Sequence, residues 1–363
     1  MKRGRRSLFA PRKRKRWGCI VLPLFFVLLL LAGVFLNAAN NRHPGKDTQR
    51  VSIPNLPDRL EGFRILHLSD LHGREYGIDQ QKLLNLIKDD NYHAVCLTGD
   101  MVGSSGNVQP LLDLIQALPQ DIPVFLVAGD EDPSPILSAP HGDASPKASW
   151  VLEAEKAGAI FLDRPVKMEF NKATLWLCPA DLFTMDLEAA EFALADRQTE
   201  ILSSDNPQSP ENGAALRVVE YQMDVMEQVK GARSEMLPEH FYIALAHAPL
   251  GDDALILAQQ SIEGKATMTN FPGQLSLILA GHFNAGHVHL PVLGPVFAPP
   301  SALTGEGGFM PDKALLFGVR SVRGVAQYIT PGLGTSVIYP KWLSFRLFNP
   351  PEISLLILTG QFF

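Results

Sequence analysis

The chain has 363 residues, of which 46% are hydrophobic and 19% charged, a balance typical of a globular protein and unlike that of a disordered or collagen-like chain. Three cysteines are too few for a disulfide framework, and they lack the spacing of a metal-binding motif. The net charge is -6, but residues 1–16 hold nine Lys or Arg and no acid, which leaves 23 basic residues against 38 acidic ones. Because this body is acidic, we expect no nucleic-acid partner.

The N-terminal region combines a basic cluster with a long apolar stretch. We predict a basic cytoplasmic tail at 1–16, a transmembrane helix at 17–37 and a polar linker at 38–50. The uncharged run from Gly18 to Leu36 would span roughly 28 Å as a helix, close to the hydrocarbon thickness of a bilayer. The positive-inside rule then predicts a single-pass protein of the cell membrane, with a cytoplasmic N-terminus and an extracytoplasmic body.

A cleaved signal peptide is the alternative interpretation of this segment. Ala38 and Ala39 are small enough for a cleavage site, but the apolar part of a signal peptide usually has about 7–15 residues and is shorter than this run. The basic cluster could also be a nucleic-acid arm, yet the adjacent apolar run favours a role in topology. We therefore expect an uncleaved signal-anchor.

The body of the chain, residues 51–363, alternates apolar runs with amphipathic stretches, which predicts an α/β domain. Three early runs predict strands that each end before an acidic residue: 63–68 before Asp70, 94–97 before Asp100 and 124–127 before Asp130. Helical patterns at 79–89 and 110–118 separate these runs. Sites in open α/β sheets lie at the carboxyl ends of strands, so we expect the three acids at one edge.

Later apolar runs predict further strands, at 174–178, 241–246, 275–280, 326–329 and 353–358. This number of strands fits two sheets packed face to face and flanked by helices. Between the first two of these strands, residues 185–237 predict a helical insertion with a polar, mobile loop at 203–213.

Carboxylate and imidazole side chains follow five of the predicted strands. They are Asp70 with His72, Asp100, Asp130, His247 and His282. One such Asp is usually a turn or helix cap, and one such His is usually structural, but five together predict a shared site. Two cations about 3.5–4 Å apart that share a carboxylate can hold a phosphoryl group and lower the pKa of a bridging water.

Four separated motifs carry a resemblance to a known family. The sequences at 69–72 (Ser-Asp-Leu-His), 98–100 (Thr-Gly-Asp), 247–249 (His-Ala-Pro) and 281–282 (Gly-His) resemble the calcineurin-like metallophosphoesterases, most of all bacterial membrane-anchored members. The resemblance runs from about residue 51 to the C-terminus. It implies an α/β fold, a four-layer αββα sandwich, which one transmembrane helix would precede here.

The resemblance also implies a ligand set and an activity. Two divalent metal ions (Mn, Fe or Zn) would be held, the first by Asp70, His72 and the shared Asp100, the second by Asp100, Asp130, His247 and His282. A hydroxide bridging the two would attack phosphorus in a phosphate ester or pyrophosphate.

The third motif departs from the family pattern of Gly-Asn-His followed by an acid. Here Asp130 stands for the Asn, and a carboxylate can still bind a metal. Glu131 stands for the His that protonates the leaving group, and it could do so only with a pKa raised well above ~4.3. We therefore give Asp100 and Glu131 catalytic roles but expect leaving-group assistance weaker by about 10²–10⁴-fold.

The fifth motif departs as well. Asn284 stands where the family has a second His that binds the first metal, and its amide oxygen suits Mg²⁺ or Mn²⁺ better than zinc. A shifted register would offer His287 and His289 instead. We prefer the first register because 288–291 then falls where relatives have a strand, and we expect both histidines on its half-exposed face.

These changes leave three hypotheses. The first is an active membrane-anchored phosphoesterase, which the surviving ligands favour; the second is a degenerate relative that binds a ligand or partner at the membrane, and the third is a structural anchor. Tethering predicts a lipid-linked phosphate or pyrophosphate as substrate. The Phe-rich end (Phe345, Phe348, Phe362, Phe363) could touch lipid, but we favour core strands there. We expect Cys96 and Cys178 to be packing residues.

Overall fold

The N-terminal apolar segment forms one long helix, α1 (Gly18–Asn40). The computed structural model describes residues 18–139, 145–260, 275–290, 292–298, 300, 305, 307–336 and 345–361. The large apolar side chains described in α1 are at least half exposed, from 50% at Val27 to 74% at Phe35. The stretch Leu22–Asn40 has a mean hydropathy of 2.4 and is long and apolar enough to cross a membrane.

The prediction of a polar linker at residues 38–50 is wrong for much of its length. Helix α1 continues to Asn40, and strand β1 (Gly45–Ser52) pairs in parallel with β15 (Glu352–Thr359) over eight residues. Strand β1 is an edge strand in which Lys46, Thr48 and Arg50 point to solvent, so it lacks the apolar run used to find strands. Charged side chains on an edge strand protect it from pairing with other chains.

The first large sheet has six strands in the order β1-β15-β2-β3-β4-β5. Strands β2 to β5 are mutually parallel, and β15 runs antiparallel to β2. The inner strands are buried on both faces, which is why the sequence shows them as continuous apolar runs. The strands not yet given bounds are β2 (Arg64–Leu68), β3 (Ala94–Thr98), β4 (Val124–Val127) and β5 (Ala159–Phe161).

The second large sheet has the order β13-β14-β9-β8-β7-β6, with four parallel inner strands and an antiparallel hairpin at each edge. Its strands are β6 (Val166–Phe170), β7 (Ala173–Pro179), β8 (Phe241–Leu245), β9 (Leu275–Ala280), β13 (Gly318–Val322) and β14 (Val325–Ile329). A small antiparallel sheet is inserted between β9 and β13. It consists of β10 (Val288–Leu290), β11 (Gly294–Ala298) and β12 (Gly308–Phe309).

Three apolar clusters hold these elements together. One contains side chains from both large sheets, such as Ile65 and Phe125 from the first and Ile243 and Leu279 from the second. A second cluster joins the first sheet to α2 (Gln81–Ile87), α3 (Gln109–Ala117) and α4 (Ser149–Ala157). A third joins the second sheet to α5 (Leu187–Leu202), α6 (Pro210–Glu235) and α7 (Asp252–Gln260). The chain is therefore a mixed α/β protein.

The range 185–237 is occupied mainly by α5 and α6. The polar loop between them is shorter than the predicted 203–213, because α6 begins at Pro210. The Ser209 side chain accepts a hydrogen bond from the Asn212 backbone N–H (3.1 Å), and Pro suits the first position of a helix. A cap and a proline therefore start the helix inside a segment whose composition suggests a loop.

The cysteines and the Phe-rich end were also assigned from sequence. Cys96 and Cys178 are buried free thiols, and burial raises the pKa of both. Phe345 and Phe348 are 39% and 52% exposed and lie outside the strands, so the expectation of core strands is wrong for them. Phe362 and Phe363 lie outside the described residues.

Candidate metal centre

The ends of five parallel strands bring the candidate ligands to one place. Strands β2, β3 and β4 are neighbours in the first sheet, and β8 and β9 are neighbours in the second. The ligands follow these strands within two to four residues at their carboxyl ends: Asp70 and His72 after β2, Asp100 after β3, Asp130 after β4, His247 after β8 and His282 after β9. The site therefore lies where the two sheets meet at one edge.

Two buried carboxylates are each fixed by a backbone donor. Asp70 Oδ2 accepts a hydrogen bond from the His282 N–H (3.1 Å), and Asp100 Oδ1 accepts one from the Glu131 N–H (2.8 Å). Asp70 Oδ1 and Asp100 Oδ2 are buried and have no hydrogen-bond partner in the part of the chain that the structure describes. Each carboxylate thus has one oxygen anchored and one available to a cation.

One group of three candidate ligands consists of the partly exposed Asp130 and the imidazoles of His247 and His282. Asp130 Oδ1 lies 2.9 Å from His247 Nε2 and 3.2 Å from His282 Nδ1, and these two ring nitrogens are 3.1 Å apart. We call this group the second position. Asp100 Oδ2 reaches the same place, since it lies 3.2 Å from His247 Nε2.

A hydrogen bond behind His247 orients its ring. His247 Nδ1 donates to the carbonyl oxygen of Thr98 (2.8 Å), because a carbonyl can only accept. Nε2 is therefore the nitrogen presented to the site, and such a bond on the far side of the ring is usual for a metal-binding His.

The other candidate ligands form what we call the first position, around His72. His72 Nε2 lies 3.8 Å from Asp100 Oδ2, and His72 Nδ1 lies 3.6 Å from Glu131 Oε2. Asp70 joins Asp100 and His247 in a further group whose ligand atoms are all within 4.8 Å of one another. Glu131, predicted from sequence as a proton donor, is thus placed with His72 and Asp100 as a third possible ligand.

Asn284 is fully buried behind the first position. Its amide nitrogen donates to the His282 carbonyl oxygen (3.2 Å) and to Ser336 Oγ (3.0 Å), and its Oδ1 lies 3.4 Å from Arg346 Nη1. The amide oxygen therefore faces a guanidinium in this structure. A role for Asn284 as a metal ligand stays a prediction.

His287 and His289, the histidines of the alternative register, differ in burial and in hydrogen bonding. His287 is fully buried with no hydrogen-bond partner at either ring nitrogen, so the expectation of a half-exposed face is wrong for it. Burial, with Arg346 and His72 nearby, lowers the pKa of His287 to about 3. His289 is half-buried, and its Nε2 lies 2.7 Å from the Ala285 carbonyl oxygen.

Opposing charges set the protonation of the ligands. Burial alone would lower the pKa of His247, but the close approach of the Asp100 and Asp130 carboxylates and the negative charges of Asp100 and Asp70 raise it well above the ordinary value. Burial raises the pKa of Asp70, and His247 opposes that rise. Burial would also raise the pKa of Asp130, but hydrogen bonds from His247 and His282 lower it far below its usual range. The carboxylates around His247 therefore favour its protonated form when no cation is bound.

The backbone at the site is strained. Asp70, His72, Asp100 and His282 have φ values of 57°, 50°, 50° and 76°, in the left-handed region that non-glycine residues rarely adopt. Each such residue costs about 1–3 kcal/mol and is typical of functional sites. A Cβ at Gly281 would overlap the Ser69 hydroxyl, so a glycine is required there.

Two buried residues that sequence reasoning missed support the site. Asp132 accepts backbone hydrogen bonds from Val102 (2.8 Å), Gly103 (2.7 Å) and Gly129 (2.9 Å) and so ties together the turns after β3 and β4. Arg346 is buried, has no carboxylate partner among the described residues, and donates to the carbonyl oxygens of Gly334 (2.9 Å) and other residues. Asp132 lies beside the third motif and could have been suspected, whereas nothing near Arg346 in the sequence indicates its role.

The donor set fits divalent cations. Buried atoms without a hydrogen-bond partner are concentrated here, at Asp70 Oδ1, both ring nitrogens of His72, Asp100 Oδ2 and His282 Nε2. Unpartnered buried polar atoms are rare in proteins and call for a bound group. Oxygen and imidazole donors suit Mn, Fe or Zn. The fold and these ligands together define an α/β protein with a candidate site for divalent cations.

Comparison with known proteins identifies the family. A model of the calcineurin-like phosphoesterases matches residues 63–284, and the chain belongs to that family, as its motifs predicted. This family uses divalent metals, and the chain's His and Asp clusters are able to bind them.

Two individual proteins are similar to the chain. The uncharacterized metallophosphoesterase YkoQ of Bacillus subtilis (strain 168) is 32% identical over 119 residues, which cover 30% of this chain and 44% of that protein. The crystal structure of phosphopantetheinyl hydrolase (PptH) from Mycobacterium tuberculosis matches with a TM-score of 0.34 at 12% identity, over 74% of this chain and 89% of that one.

Proposed function

We propose that this protein is a membrane-anchored, metal-dependent phosphoesterase that hydrolyses a phosphate ester or pyrophosphate of a lipid-linked substrate. The observation that carries this proposal is the convergence of the ligands of five strands on one edge, where the ligand atoms of each group lie within 4.8 Å of one another. The four-layer αββα sandwich belongs to the same proposal and is supported by the three apolar clusters on and between the sheets.

Two divalent cations (Mn, Fe or Zn) would be held at the first and second positions, with Asp100 shared between them. Bound there, they would neutralise phosphate charge and supply a nucleophile from water. His247 would be kept in the ligating tautomer by its bond to Thr98. Glu131 would act as an oxygen donor at the first position, since it lies beside His72, rather than as a proton donor to the leaving group.

A cleft beside the second position has room for the organic part of a substrate. Its volume is about 570 Å³, and it is lined by His247 together with apolar side chains such as Val127, Leu162, Leu245 and Leu250. A phosphate held near His247 could therefore extend an apolar group along this cleft.

The anchor would set the location of the reaction. Helix α1, preceded by the basic residues 1–16, would place the N-terminus in the cytoplasm and the metal centre outside the cell membrane. A site held close to a bilayer favours lipid-linked phosphates as substrates. We expect no nucleic-acid partner, because the body is acidic.

The alternative is a degenerate relative that binds a ligand or partner at the membrane without turnover. Two substitutions favour it: Glu131 stands for the acid-base His, and the oxygen of Asn284 faces Arg346. The strained backbone and the surviving ligands at the second position favour activity.

Hydrolysis by the full-length protein tests the choice. The whole chain is used because β1 begins at Gly45, so a soluble fragment that starts at residue 50 would lack most of this strand. The protein, purified in detergent and loaded with Mn²⁺, is assayed with bis(4-nitrophenyl) phosphate. We expect turnover that is lost in His247→Gln and kept in His43→Gln, a matched change at an exposed position.

Two other results would contradict hydrolysis at this site. Metal bound without turnover of phosphodiester, phosphomonoester or pyrophosphate probes would favour the degenerate relative. Turnover that survives His247→Gln would mean that the activity does not belong to this site.

A further inference from the structure

Outside α1, many of the exposed apolar side chains of the described residues lie on the small sheet and the chain segment beside it. Residues 345–349 extend this sheet, since Leu347 N–H donates to His287 O (2.8 Å) and His289 N–H donates to Leu347 O (2.9 Å). We call the exposed apolar side chains of these segments the apolar rim: Val292 (106%), Leu293 (55%), Phe309 (80%), Met310 (58%), Phe345 (39%) and Phe348 (52%). An apolar surface of this kind indicates an interaction site.

The rim is attached directly to the end of helix α1. The side chains of Asn37 and Asn41 donate hydrogen bonds to the Arg346 carbonyl oxygen (2.7 and 2.8 Å), and the Phe348 N–H donates to Asn37 Oδ1 (2.9 Å). Asn37 lies in the last turn of the helix, where a spanning helix leaves the hydrocarbon. Residues 345–349 are therefore fixed at the level of the membrane surface.

Basic side chains lie beside the same helix end. Arg74 donates to the Asn41 carbonyl oxygen (2.6 Å), and Lys82 donates to the Arg42 carbonyl oxygen (2.8 Å). Arg42 itself is exposed, and so is Ile78 (81%) on the loop that follows Arg74. Cations next to exposed apolar groups suit the boundary between lipid headgroups and acyl chains, although the body as a whole is acidic.

The same segment reaches the metal centre. Arg346 Nη1 lies 3.4 Å from Asn284 Oδ1, and Asn349 Nδ2 donates to the Asn284 carbonyl oxygen (2.7 Å). A surface fixed by residues 345–349 therefore also fixes the orientation of the site.

We infer that the apolar rim docks on the phospholipid bilayer that α1 crosses, in the leaflet at the C-terminal end of the helix, and holds the metal centre at the membrane surface. This inference rests on the proposed anchoring by α1. It adds a second membrane contact, through side chains about 250 residues from the anchor in sequence. Residues that enter such a boundary are expected about 5–10 Å deep.

Spin-label depth measurements test this docking. Full-length protein carrying Cys19→Ala keeps only Cys96 and Cys178, which are buried and resist labelling. Single variants Phe309→Cys, Phe192→Cys and Phe25→Cys are labelled in vesicles of phosphatidylethanolamine and phosphatidylglycerol. Phe192, on α5, is 75% exposed and is the matched control for Phe309, whereas Phe25 reports on α1.

The measured quantity is the ratio of collision rates with oxygen and with a water-soluble nickel chelate. We expect a ratio at 309 at least about threefold higher than at 192, because oxygen concentrates in the bilayer. Equal ratios at 309 and 192, with a high ratio at 25, would overturn the docking and leave the anchoring intact. A low ratio at 25 would reject the anchor and with it the docking as proposed here, whatever the ratio at 309.

Discussion

The first and second positions, at which we propose that cations bind, share the Asp100 carboxylate but differ in their other candidate ligands. The second position keeps two imidazoles, His247 and His282, close to Asp130, with ligand atoms 2.9–3.2 Å apart. At the first position, His72 is 3.6 Å or more from its carboxylate neighbours, and Asn284 stands where the family has a His. The first position thus lacks an imidazole that the family pattern has, whereas the second position keeps both of its imidazoles.

A buried positive charge, the guanidinium of Arg346, lies beside Asn284 at the first position. Arg346 is buried beside Asn284, and burial lowers its pKa only to about 10, so it remains charged at neutral pH. A fixed cation at that point favours the charged form of the nearby Asp70 carboxylate. The first position thus becomes richer in oxygen donors, which suits Mn²⁺ better than zinc.

Removing the shared carboxylate should have the largest effect. Asp100→Asn weakens the ligand set of both positions, and we expect hydrolysis to fall by at least about 10³-fold. Steady-state assays with bis(4-nitrophenyl) phosphate and metal analysis of the purified variant measure the loss. Asp196→Asn, the same change at an exposed site on α5, should leave both unchanged. Activity within tenfold of the parent would contradict a shared ligand.

Removing the buried guanidinium of Arg346 should destabilise the fold next to the first position. Arg346→Met leaves several carbonyl oxygens without a donor, so we expect a loss of about 3–5 kcal/mol in the free energy of unfolding. Urea denaturation of the full-length protein measures it. Arg197→Met, which removes an exposed ion pair with Glu200, should cost less than about 1 kcal/mol. Equal costs for the two variants would refute a structural role for Arg346.

A substitution of Glu131 distinguishes its two possible roles, metal ligand and proton donor to the leaving group. If Glu131 binds the first cation, Glu131→Gln should weaken Mn²⁺ binding there by about 10–100-fold and slow all substrates alike. A titration of activity with Mn²⁺, repeated with aryl phosphates of different leaving-group pKa, separates the two roles. A loss that grows with leaving-group pKa would identify Glu131 as the acid.

Metal binding at the second position should depend on pH. The raised pKa of His247 means that the metal-free site holds a proton there below that pKa, and a metal must displace it. Affinity at the second position should therefore fall as pH decreases, by about tenfold per pH unit for each proton displaced. Calorimetry at several pH values in two buffers measures proton release, and its absence would contradict the raised pKa.

Much of this arrangement could be predicted from the sequence because its elements are locally encoded. Strands β2, β3 and β4 are buried on both faces, so each appears as an uninterrupted apolar run ending at an acid. The motifs around Asp70 and His247 then gave the family, which the family model confirmed.

The remaining features depend on contacts between distant parts of the chain. Strand β1 has polar residues at alternate positions and is a strand because it pairs with β15, three hundred residues later. Arg346 is isolated in sequence, and its carbonyl partners come together only after folding. His287 looked like a residue of a half-exposed strand, and it is buried because residues 345–349 pair beside β10.

Metal analysis of the full-length protein tests the central claim, a two-cation site with unequal positions, most directly. After equilibration with Mn²⁺ or Zn²⁺ and removal of free metal, we expect about two Mn per chain but about one Zn, and almost none of either in Asp100→Asn. Less than half an equivalent of both metals in the parent protein, or equal binding by Asp100→Asn, would contradict the account.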